Sequence, residues 1–140
     1  MKVLLKIILT NWINSLVIFI ALFLASFFSA LLIDNFSIID AFIETGYSLL
    51  VYGMVCWMFF FISVGILDVI LFSLKKQFQF ITYKLAIEWL LISSPFIFWL
   101  IKYNQWVFFI AVLAFLIGQY LRKNYITKIL TAANSKNRYK

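Results

Sequence analysis

Between Tyr47 and Leu74 the chain has only one side chain of the Asp, Glu, Lys or Arg type, Asp68, and the run then breaks into Lys75, Lys76, Gln77, Gln79 and Lys84. A stretch like this has few ways to fold. In hydrocarbon the backbone finds no partners but its own, so a run of about 20 or more apolar residues reads as a membrane-spanning helix. The lysines that close it mark the cytoplasmic side, where basic loop residues collect. The run is longer than a bilayer needs, so it must tilt, curve or protrude. Gly53 and Gly65 are its candidate points of close helix contact.

Three more stretches have the same character, and together they predict an all-α, polytopic membrane protein with four transmembrane helices. The spans are expected at about 13–33, 47–74, 83–101 and 106–121, in one domain covering residues 1–140, with a basic cytoplasmic tail over 122–140. Before the first span, Lys2 and Lys6 share one face of a helix that can lie in the interface, and Trp12 is placed as an interfacial anchor. A signal peptide is the competing reading. The apolar run exceeds an ordinary h-region, and cleavage after Ala30 would put Phe28 where a small residue is wanted, so an uncleaved span is expected. Residues 34–46 read as an outer loop holding Asp34, Asp40 and Glu44, with Phe36, Ile39 and Ile43 spaced for a short amphipathic turn. In the third span, Pro95 removes a backbone donor and predicts a helix kink, with Ser93 and Ser94 able to satisfy freed carbonyls.

Charge sets the orientation. With four spans, eleven of the twelve lysines and arginines fall on one side, and only Lys102 joins the three loop acids on the other. Both termini are therefore expected in the cytoplasm. The net charge of +7 lies beside apolar spans rather than on a soluble face, so no nucleic-acid partner is expected. The tail cations suit anionic lipid. Lys75, Lys76, Lys84, Arg122 and Lys123 are the expected contacts with lipid headgroups or a partner. With no histidine and one cysteine, Cys56, the chain has no zinc or haem constellation and no cofactor is expected.

The residues that could carry chemistry are few. Asp68 and Glu88 are the two acids outside the loop, and Asn14 and Gln119 fall at similar depth on the same side. Each of the four helices thus offers one group to a candidate intramembrane polar layer. One reading pairs Asp68 with Lys75 or Lys76, and Glu88 with Lys84, all near headgroups. The other turns both carboxylates into the bundle to bind a proton, a cation or a cationic partner, since ionisable groups at membrane depth are costly and usually functional. No catalytic residue is expected. Serine–histidine chemistry has no base, and no Gly-x-Gly-Asp context surrounds either acid.

Two resemblances accompany these residues. Gly65-Ile66-Leu67-Asp68 followed by Ser73-Leu74-Lys75-Lys76 resembles the second-span ending in a family of small bacterial membrane proteins of unknown function, although the aromatic residue before the Asp is missing here. Lys84-Leu85-Ala86-Ile87-Glu88, then Trp89, is similar to a Lys-x-x-Ile-Glu patch in small membrane-embedded immunity proteins against pore-forming bacteriocins. That second likeness implies a bacterial inner-membrane protein that recognises a toxin's apolar hairpin. The expectation is a non-enzymatic protein acting through helix–helix recognition of a membrane-protein partner or of its own copies in the lipid bilayer. A small ion- or proton-coupled transporter and a phage holin are the alternatives.

Overall fold

The computed structural model describes residues 2–51, 53–73, 80–104 and 106–138, and among them it contains helices and no strand. In chain order these are α1 Lys2–Leu9, α2 Trp12–Leu32, α3 Ile38–Val51, α4 Gly53–Ser73, α5 Ile81–Tyr103 and α6 Trp106–Arg138. Four stretches are long and apolar enough to cross a membrane: Val3–Leu32, Cys56–Ser73, Ile81–Tyr103 and Trp106–Ala133.

Two boundaries differ from the sequence reading, each for a local reason. The stretch expected as an outer loop is largely helical, because α3 starts at Ile38. Ser37 caps it there: the Asp40 backbone N–H donates to Ser37 Oγ at 3.2 Å, and Ser37 Oγ donates to Asp40 Oδ2 at 2.6 Å. The expected second span, 47–74, begins within α3 and takes in α4, with Tyr52 between them outside the described residues. The tail expected from residue 122 onward continues α6 without a break as far as Arg138. Ile126 and Leu130 explain this, since they stand one and two turns beyond Arg122 and bury that face against the rest of the bundle.

Helix α6 is the central element, packed against α2 on one side and α5 on the other. Its approach to α2 depends on Gly118, where an added Cβ would lie 2.7 Å from Asn14 Oδ1 and 3.0 Å from Asn14 Cα. Small residues at such crossings let two backbones meet. Between α5 and α6 the chain reverses at Asn104, whose φ of 51° is left-handed and suits asparagine at a helix end. Two apolar clusters fill the interior. One joins Ile7, Phe72, Ile81, Leu85, Ile126 and Leu130 at the end of the bundle that carries both termini. The other joins Ile18, Phe60, Val64, Ala114 and Phe115 towards the loop end. Outward faces are also apolar, with Phe59, Ile62 and Leu90 all well over half exposed or close to it.

Candidate functional site

Between the two apolar clusters lies a layer of polar side chains drawn from five helices or their junctions, and its centre is Arg122. The guanidinium is fully buried, as are Asp68 and Glu88, all at 0% exposure. Arg122 Nη1 donates to Glu88 Oε1 at 2.9 Å and Oε2 at 3.0 Å. Its Nη2 donates to Asp68 Oδ2 and, at 3.4 Å, to the Ile7 carbonyl. Its Nε donates to Thr10 Oγ1 at 2.8 Å. A guanidinium has five N–H donors in a fixed fork, and this arrangement gives each of them an acceptor.

The break between α1 and α2 makes this possible. Thr10 and Asn11 sit in the turn, where the Thr10 N–H reaches Ile7 O at 2.9 Å and the Asn11 N–H reaches Ile8 O at 3.1 Å. The Ile7 carbonyl, at the end of α1, is thereby free of a helical partner four residues on and accepts from Thr10 Oγ1 at 2.6 Å as well. Asn11 Nδ2 donates to Asp68 Oδ2 at 2.7 Å, and Asn14 Nδ2 donates to Asn11 Oδ1 at 3.2 Å. Gln119 Nε2, one turn before Arg122 on α6, donates to Glu88 Oε1 at 2.9 Å. Charged hydrogen bonds of this kind are strong, and a buried layer of them holds only when its members are nearly all paired.

The structure thus brings Asn14, Asp68, Glu88 and Gln119 into one network and adds Thr10, Asn11 and Arg122. The pairing expected between Glu88 and Lys84 is replaced by the one with Arg122. Lys84 is itself buried at 8% exposure, with Nζ 5.0 Å from the Phe72 ring centroid and no hydrogen-bond partner among the described residues. Arg122 and Lys84 therefore do not stand as headgroup contacts. Their side chains lie inside because α6 and α5 turn those faces to the bundle. Lys123, next to Arg122, is half-buried on the outer face of α6. Lys75 and Lys76 lie outside the described residues.

At Pro95 the helix runs on through Tyr103, and Ser94 Oγ donates at 3.0 Å to the Leu91 carbonyl, the one that proline leaves without its usual N–H. Ser93 instead points inward and is buried. Three acceptor oxygens of the layer have no hydrogen-bond partner among the described residues: Asp68 Oδ1, Asn14 Oδ1 and Gln119 Oε1. Among the described residues no three His, Cys, Asp or Glu side chains gather to hold a metal ion.

Only part of the signal for Thr10, Asn11 and Arg122 is present in the sequence. Thr10-Asn11 is a polar dipeptide inside an apolar run, and Arg122 falls three residues after Gln119 and four before Ile126, on one helix face. Comparison of the chain with family models, curated proteins and solved structures finds no match.

Proposed function

We propose that this chain is a non-enzymatic, multi-pass protein of a bacterial cytoplasmic membrane, with both termini in the cytoplasm, acting through recognition of an apolar helix of another membrane protein. Its concrete form is immunity to a pore-forming bacteriocin. The observation that carries the reading is a shallow apolar groove of ≈ 380 Å³ between α1 and α4. Ile8, Phe61, Ile62, Ile66 and Val69 surround Gly65 there. Nothing lies within 4 Å of a Cβ added at Gly65, so the glycine is open to the outside rather than used for internal packing. A bare backbone flanked by β-branched and aromatic side chains is how helices approach closely in lipid, where hydrophobicity alone drives no association.

The role of Asp68 and Glu88 in this reading is internal. Both are occupied by Arg122, so they hold the helices in register while the α1–α4 groove sets specificity. The test uses Gly65→Leu, whose Cβ meets nothing within 4 Å and whose remaining side chain enters the groove. Bacteria expressing the wild-type chain are challenged with a panel of pore-forming peptide toxins while potassium efflux is recorded. Wild type should block efflux for at least one toxin, and Gly65→Leu should not, at equal amounts of inserted protein. Efflux blocked equally by both, or by neither, would sink the proposal.

A second reading has its own observation. Two carboxylates face one guanidinium, and Asp68 Oδ1 has no hydrogen-bond partner among the described residues, an arrangement of ionisable groups at membrane depth that is costly and usually functional. It makes the chain a proton-coupled transporter. Purified protein in vesicles would then carry a proton flux that Glu88→Gln abolishes, and vesicles as tight as protein-free ones would exclude it.

A further inference from the structure

The loop end of the bundle contains a cavity of ≈ 310 Å³ that neither reading uses. Every helix except α1 contributes to its walls, and none of the lining residues is charged. Phe60, Trp57, Phe96, Phe108 and Phe115 are among the residues that line it. Ser93 also lines it, is 1% exposed, and has an Oγ with no hydrogen-bond partner among the described residues. A serine in a helix commonly returns its hydroxyl to the carbonyl a turn back. Its neighbour Ser94 does that, and Ser93 does not.

We propose that this cavity binds one neutral, largely hydrocarbon molecule with a single hydrogen-bonding oxygen, of the long-chain alcohol or ketone class, whose oxygen meets Ser93 Oγ. The chemistry follows from the walls. A charged headgroup would be buried with no counter-charge, which is prohibitively costly. Ser93 is the thirteenth of the 23 residues of α5, so it stands near the middle of a span, where a phospholipid headgroup does not reach. Dry apolar cavities take apolar ligands, and at about 30 Å³ per heavy atom, the share of a water in liquid, the volume suits about ten of them.

The test uses the full chain in detergent and ω-bromo-octanol, which has that size and quenches indole fluorescence through its bromine. Trp57 in the cavity wall is the reporter. The expected result is saturable quenching, most of it lost in Trp57→Phe, with an apparent affinity about three- to ten-fold weaker in Ser93→Ala, the worth of one hydrogen bond. Bromo-octane should bind wild type and Ser93→Ala alike, and ω-bromo-octanoate above neutral pH should not displace the alcohol. Ala111→Phe, which fills the cavity, should abolish saturation. Should that variant fail to fold, the Ser93→Ala and bromo-octane arms decide alone. Quenching that never saturates, that survives Trp57→Phe, or that is equally strong for the alkane and the alcohol in wild type overturns the proposal.

Discussion

The end of the bundle that carries the termini and the end that carries the loops keep their helices together by opposite means. At the first, directional bonds fix the geometry: Arg122 alone ties α6 to α4, α5 and the α1–α2 turn. At the second, ring contacts predominate, among them Phe19 with Trp57, Phe23 with Phe42 and Trp99 with Phe108, at centroid separations of 5.5–6.4 Å. A forked guanidinium tolerates little displacement before it loses partners. Aromatic faces accept a range of offsets and angles, and the loop end contains a cavity lined by such rings. Specificity of packing is concentrated where the polar atoms are.

The largest test of that contrast is Arg122→Met. It leaves two buried carboxylates without their cation, a situation that costs about 3–5 kcal/mol where one partner of a buried pair is removed. Unfolding by a denaturing detergent, followed by helical circular dichroism, should show it. Arg122→Lys keeps the charge but not the fork, and should lie between Met and wild type. Replacing all three residues together, Arg122→Met with Asp68→Leu and Glu88→Met, should recover most of the loss, because a whole buried triad can be exchanged for apolar packing at little cost. If Arg122→Met alone matches wild type, the network is not what orders this end.

A glycine pair sharpens the comparison at intermediate scale. At Gly118 an added methyl meets Asn14 at 2.7 and 3.0 Å, so Gly118→Ala must push α2 from α6, an overpacking that costs about 1–3 kcal/mol. Gly65→Ala meets nothing and should stay within about 0.5 kcal/mol of wild type in the same titration. Equal effects at the two positions would mean that the α2–α6 contact is looser than its geometry.

These positions also mark how far the sequence could be read. Long apolar runs are visible because their length is set by backbone satisfaction, and four helices of sufficient length and apolarity are present. Counting residues along the helices puts Asp68, Glu88, Asn14 and Gln119 at one level, and hydrogen bonds through Asn11 and Arg122 join the four in one network. Arg122 escaped because a cation at the end of an apolar run looks the same whether it leaves the bundle or turns inward; only the acids on α4 and α5 decide, and their rotation about the helix axis is not encoded in a run of uniformly apolar neighbours. Helix α4 illustrates this well, since apolar residues on all its faces leave no stripe to point inward. The start of α3 is legible in Ser37-Ile38-Ile39-Asp40, an N-cap serine at the head of a helix, although the acidity of the stretch reads as a loop.

The smallest prediction concerns two adjacent serines and should differ in sign between them. Ser94 Oγ occupies the carbonyl of Leu91, which Pro95 deprives of an N–H, so Ser94→Ala leaves that acceptor bare and should destabilise by about 0.5–1.5 kcal/mol, a single net hydrogen bond. Ser93 Oγ is buried with no hydrogen-bond partner among the described residues, so Ser93→Ala removes a polar group that has lost its water and gained nothing; it should leave stability unchanged or raise it slightly. Measured side by side in the same detergent titration, the pair separates a hydroxyl that supports the helix from one that faces a cavity. A loss at Ser93 as large as that at Ser94 would show that the Ser93 hydroxyl has an internal acceptor, and the loop end would then be as polar-ordered as the end that holds Arg122.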